Sequence, residues 1–294
     1  MRRFIALLVS LLALCFLVAC QSNQSSTSSS SAADGQFRIV STTVTTTEVL
    51  DKLGLDLVGV PETSKTLPER YQSVTTIGSA MGPNAEIIAS LKPTDIISVS
   101  TIKGETKESY GSLESKVTYY DFDSVDGMYA SITKMGKRFD KETEAQALID
   151  SISAQISETS SQVSSQTTKP KVLILMGLPG SYLFATEKSY IGNLVSLAGG
   201  ENVITETDSA YISSNTEYIQ DTNPDIILRL SHAYPSQVKK MYEKEFKTNT
   251  IWQHFKAVQE GKVYDLDEDP FGITANIRAG QAVADLYQRF YGGN

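Results

Sequence analysis

Cysteine and histidine are nearly missing from these 294 residues. The two cysteines, Cys15 and Cys20, both fall within the first twenty positions. The rest of the chain therefore has no thiol pair for a disulfide and no thiolate for zinc or an iron–sulfur cluster. Two histidines, His232 and His254, are too few for the three or four ligands that zinc takes. No lysine and arginine cluster stands out among 26 basic and 34 acidic side chains, which argues against nucleic acid and against surface binding to anionic lipid. Beyond the amino-terminal run, no stretch is apolar enough to span a bilayer. Nor is there a Ser/His/Asp order, a P-loop or a nicotinamide fingerprint, so the expectation is a binding protein and not an enzyme.

What is present begins with "MRRFIALLVSLLALCFLVAC", two arginines followed by an apolar run that closes on Leu17-Val18-Ala19-Cys20. This is the layout of a lipoprotein signal peptide over 1–19, with Cys20 as the lipid-bearing residue. A Ser-rich stretch, 20–36, cannot bury a core and is expected to act as a flexible tether. Without the two arginines of the first nineteen positions the balance is 24 basic to 34 acidic, a formal charge of −10 on the remainder. The expectation is a body held at the extracellular face of the membrane by a lipid and not by a spanning helix.

Residues 37–294 are enough for two lobes. An internal echo suggests their architecture: "NAEIIASLKPTDII" from Asn84 resembles "NTEYIQDTNPDII" from Asn215. Each reads as a short helix, a proline that stops it, and a buried strand. A second echo joins "FRIVSTTVTTTEVLDKLGLDLVGV" from Phe37 to "PKVLILMGLPGSYLFATEKSYIGNLV" from Pro170, each an apolar strand, a polar turn and a helix. Helices alternating with strands predict an α/β chain of two Rossmann-like lobes with mainly parallel sheets, an N-terminal lobe over 37–122 and a C-terminal lobe over 167–294. Between them, 123–166 places Val125, Met128, Ile132, Met135 and Phe139, then Leu148, Ile152 and Ile156, at helical spacing. That predicts a long, rigid connecting helix, interrupted near Asp140, with its methionines as core filler.

Open α/β sheets bind ligands beyond the carboxyl ends of their strands. His232 follows "PDIILRLS" directly and so stands at such an end. Met81 precedes the matching helix of the first lobe, with Gly82 allowing a turn and Pro83 suited to the first helical position. Bare ferric iron prefers hard oxygen donors to a thioether. Haem iron needs only two axial ligands, and Met/His is a known pair that leaves no open position for oxygen chemistry. His254, beside Trp252 and Phe255, reads as a surface or packing residue. Tyr182 and Phe271 could stack on a porphyrin or belong to the core, and Lys65 or helix N-terminal amides could meet propionates.

"SKTLPERY", "IGSAMGPNAEI", "KVLILMGLPGSYLFATEKSYIGNLV", "NPDIILRLSH", "IWQHFKAV" and "VYDLDEDPFGITANI" together carry a resemblance to the IsdE-type haem-binding lipoproteins, substrate receptors of Gram-positive ABC haem importers. The resemblance implies haem b (iron protoporphyrin IX) between two lobes, with Met81 and His232 as axial ligands. It also implies a monomer that meets an ABC permease and its ATPase, with Glu86 and Glu217 docking one to each permease subunit, and a cell-surface haem donor. "SHAYP" departs from the pattern after the histidine, at Tyr234. Alternatives are a receptor for a ferric siderophore or cobalamin in the same cleft, or a haem-modifying enzyme.

Overall fold

The computed structural model describes residues 37–205, 207–215, 219–220, 222–231 and 234–292. Residues 37–294 form one compact unit. Its first sheet has four strands, all parallel, in the order β2-β1-β5-β6: β1 (Ile39–Ser41), β2 (Leu57–Gly59), β5 (Asp95–Val99) and β6 (Val117–Tyr120). Helix α1 (Val44–Lys52) crosses from β1 to β2. From β2 the chain runs through a small hairpin, β3 (Gly78–Ser79) and β4 (Gly82–Pro83), and through helix α2 (Ala85–Ser90), to reach β5 on the far side of β1. The strand order thus reverses between β1 and β5, which opens a crevice at the carboxyl end of β1.

Two helices, not one, join the sheets. Helices α3 (Val125–Arg138) and α4 (Glu142–Val163) are separated by Asp140, whose φ of 56° lies in the left-handed region. Lys141 N donates to Gly136 O at 2.8 Å, the closing bond of a helix end, so the expected interruption is a full stop. The predicted apolar stripe is buried at Val125, Met128, Ile132, Met135 and Phe139.

The second sheet is mixed. Strand β7 (Lys171–Leu178) pairs in parallel with β11 (Ile226–Ser231) and with β9 (Glu201–Asn202), and β11 pairs in parallel with β12 (Val263–Asp265). On the other side β8 (Ser181–Ala185) runs antiparallel to β7, and β10 (Tyr211–Ser213) antiparallel to β8. The stretch "SYLFATEKS" is therefore not the polar turn that the echo with the first lobe predicts. Pro179 and Gly180, with Gly180 at φ +84°, make a two-residue reversal, and the aromatic-rich run behind it pairs back onto β7. Helices α5 (Tyr190–Leu197), α6 (Pro235–Thr248) and α7 (Ala279–Tyr291) are the longer helices of this half.

Successive residues of β7 serve different cores, as the period of two requires. Val172, Ile174 and Met176 join a cluster that continues through Ile152 on α4, Met128 and Ile132 on α3, and Val49 and Leu50 on α1, to Ile39 and Ile97 of the first sheet. Leu173 and Leu175 face a separate cluster with Phe184, Tyr242 and Trp252. Each fully buried aliphatic side chain contributes about 1.5–3 kcal/mol. Because the first cluster spans both sheets, that stabilisation also holds the sheets to each other.

Candidate functional site

A cleft of about 270 Å³ lies where the two sheets' carboxyl edges meet. From the first sheet come Val44, Thr45 and Glu48 of α1, and the segment Thr63 to Lys65. From the second come Met176 and Ser231, at the carboxyl ends of β7 and β11, and the stretch from Glu268 to Arg278 that contains Phe271, Thr274 and Asn276.

Local sequence explains the first wall. Thr43 caps α1, its Oγ1 accepting from Thr46 N at 3.2 Å, and the hydroxyls of Ser41, Thr46 and Thr47 bond among themselves and to Thr43 O. A run of small hydroxyl residues thus turns the chain directly from strand to helix, leaving the positive end of α1 at the cleft. Lys65 adds a cation, and its Nζ spans to the opposite wall, donating to Asp269 Oδ1 at 3.1 Å and to Glu268 O at 3.3 Å. Lower down, Thr45 Oγ1 meets Thr274 Oγ1 at 3.1 Å. Arg278 Nη1 donates to Glu48 Oε2 at 2.9 Å, and Nη2 bonds Oε1 of the same carboxylate. That carboxylate keeps the Arg278 guanidinium above its ordinary pKa. The cleft lining sets the carboxylates of Glu48, Glu268 and Asp269 against the cations Lys65 and Arg278, with Glu48 and Asp269 paired and Glu268 Oε1 buried without a partner, so the feature that favours a ligand carboxylate is the amino end of α1.

Met81 sits on the two-residue tip of the β3–β4 hairpin, more than half exposed at 53%. The hairpin is tied down on every side. Gly78 pairs with Pro83 and Ser79 with Gly82, Ser79 Oγ accepts from Gly82 N at 3.1 Å, and Asn84 N donates to Ile77 O at 2.7 Å. Glu62 N donates to Gly78 O at 2.9 Å, which anchors the hairpin to the segment that carries Thr63, Ser64 and Lys65 into the cleft. Pro83 is not the first helical residue, as the sequence suggested; it ends β4, and Asn84 is the cap of α2, accepting from Glu86 N and Ile87 N at 3.0 Å each. Glu86 is exposed in the first turn of α2.

His232, Glu217 and Cys20 lie outside the described residues. Ser231, directly before His232, lines the cleft, and Tyr234, two residues after it, is 65% exposed with φ 50° at the start of α6. Among the described residues the exposed large apolar side chains are Met81 and Tyr234. Phe271 is buried and forms part of the cleft wall. Tyr182 is elsewhere: its ring packs with Phe184, Tyr242 and Trp252, and its hydroxyl donates to Glu245 at 3.3 Å, so it belongs to the outer core. Its pKa is raised well above the usual phenol value, mainly by burial. His254 is exposed at the end of the turn Thr250–His254. Among the described residues no group of three or more His, Cys, Asp or Glu could hold a bare metal ion. Glu48 and Arg278, which bridge the cleft, carry no sequence signal, since 230 positions separate them.

The profile of periplasmic binding proteins matches residues 39–270. The chain belongs to the periplasmic binding protein family. Among relatives of this periplasmic binding protein is the high-affinity heme uptake system protein IsdE of Staphylococcus aureus (strain Newman), 54% identical over 94% of each chain. A crystal structure of S. aureus IsdE complexed with heme superposes with a TM-score of 0.85 at 55% identity, covering 87% of this chain and all of that one. An ABC transporter substrate-binding protein from Listeria monocytogenes EGD-e gives a TM-score of 0.83 at 47% identity, over 88% of this chain and all of its own. The α/β architecture with two sheets, expected from the alternation of helices and strands, is the one observed, with the second sheet mixed and the connector divided into two helices.

Proposed function

We propose that this chain is the haem receptor of an ABC importer. Haem b would bind at the cleft with the Met81 thioether and the His232 imidazole as the two ligands of its iron, and the chain would pass it to a permease driven by its ATPase. The observation that carries this reading is the placement of Met81. Met128, Met135 and Met176 are buried, as methionines in a core should be, whereas Met81 is displayed on a braced hairpin where it packs little. A soft donor displayed in the open on a hydrogen-bonded hairpin is suited to a ligand that brings its own metal and lacks one axial partner. The relative that is a heme uptake protein is more than half identical over nearly the whole chain, which supports the same cargo here.

The remaining parts follow the chemistry of the cleft. The propionates meet the amino end of α1 and Lys65, which releases Asp269 to solvent. With both axial positions filled, the iron has no site for oxygen, so the chain carries haem without altering it. Cys20 bears the lipid that holds the receptor at the extracellular face of the membrane, where a surface protein supplies haem. Among the described residues no helix is long and apolar enough to cross a membrane. The test is a visible absorption titration with haemin: a sharp low-spin spectrum saturating at one equivalent is expected, and a spectrum that stays that of free haemin rejects the assignment.

A further inference from the structure

Two hollows meet at one ion pair. Beside the cleft lies a second, solvent-open depression of about 660 Å³, walled by residues such as Asp51, Lys52, Leu67 and Arg70. The two share only Glu48 and Arg278 among their described lining residues. The pair is therefore the partition between them.

Its construction is specific. Thr45 and Glu48 lie one turn apart on α1, and Thr274 and Arg278 lie four positions apart on the facing segment. The Thr45–Thr274 and Glu48–Arg278 contacts thus form successive rungs between the two halves. Arg278 is fixed from behind: its backbone N donates to Asn276 Oδ1 at 2.9 Å, and the buried Asn276 amide donates to Pro270 O at 3.3 Å. Both Nη groups are committed to one carboxylate whose side chain is only 9% exposed. A planar fork on a buried carboxylate fixes distance and angle together; Glu48 cannot lose its partner without being left buried and unpaired, while the Arg278 side chain, 34% exposed, keeps access to water.

We propose that Glu48 and Arg278 are positioning residues for the cargo. They latch the two sheets at the floor of the cleft and form the side wall that retains haem and excludes water arriving through the second depression. This rests on the reading of the cleft as a haem site, so the test has one arm without haem. Spin labels on Ala89→Cys and Lys247→Cys, one exposed position per lobe, report the interlobe distance in the full chain in detergent, with Cys15 and Cys20 replaced by serine so that no other thiol is labelled.

Glu48→Ala is expected to broaden the distance distribution before any ligand is added and to speed haem release on the order of tenfold. Arg278→Lys, which keeps a single contact, falls between it and the parent. The double variant Glu48→Leu with Arg278→Met leaves no buried charge unpaired and so preserves folding where Glu48→Ala does not; it too is expected to broaden the distribution and speed release. A folded double variant with the parent's narrow distribution, or with the parent's release rate, overturns the latch. If the parent chain itself binds no haemin, it is the haem reading that fails, and the distance arm alone decides whether the pair sets lobe spacing.

Discussion

As the proposed axial ligands, Met81 and His232 would not be equivalent, and the difference is chemical. Imidazole nitrogen is a good donor to ferric iron, while a thioether is soft and weak toward it. Replacing Met81 by alanine should therefore keep haem bound through His232 but shift the spectrum away from low spin as one axial position opens. His232→Ala should lose haem far more readily, by roughly one to two orders of magnitude in affinity. Identical spectra for both variants and the parent would remove these residues from the iron. The sequence offers few candidate donors, two histidines and no thiol beyond Cys20; of the proposed pair the structure describes Met81, exposed on its hairpin tip, while His232 lies outside the described residues. The ion pair that spans the cleft was illegible in the sequence. Glutamate and arginine are common, and nothing in local spacing connects Glu48 to Arg278.

At the scale of elements, the hairpin that presents Met81 depends on Gly78. Its φ is +90°, and a Cβ there would come within 2.5 Å of Gly82 O, across the hairpin itself. Gly78→Ala must therefore strain the backbone or unpair β3 from β4, at a cost of about 1–3 kcal/mol. Since Met81 sits on the tip that this pairing closes, the expected outcome is a haem spectrum resembling that of Met81→Ala in a chain that melts only a few degrees lower. A variant with the parent's spectrum would show that Met81 does not need the hairpin. The short strands explain why the element escaped sequence reading. Two residues a side carry no period, and Gly-Pro before Asn84 reads as a helix start, while the cap one residue later does start a helix. The same limit applies to β8, where pairing with β7 converts an apparent turn into a strand. Longer patterns survived better: the stripe on α3 and the parallel strands of the first sheet follow from spacing alone.

At the scale of the whole molecule, one continuous core links both sheets through α3 and α4, so a ligand is expected to produce small closing motions and not a wide hinge swing. A receptor that changes shape so little must be recognised by its surface. We propose that Glu86 and Glu217, at matching places in the two repeats, dock on arginines of the two permease subunits. Glu86 is exposed at the amino end of α2, where its charge also complements the helix dipole by about 0.3–1 kcal/mol, so capping alone would account for a glutamate there. The two roles separate on charge reversal. Glu86→Lys with Glu217→Lys should leave haem affinity unchanged and lower stability only slightly, because exposed charges steer association and orientation more than they hold the fold. It should nevertheless abolish haem uptake and stimulation of the transporter ATPase while the receptor stays on the membrane. Cys20→Ala provides the contrast, losing uptake because the receptor leaves the membrane or remains unprocessed, with ATPase stimulation retained when the purified chain is added back at high concentration. Normal uptake by the double lysine variant would assign Glu86 to capping and place the docking surface elsewhere.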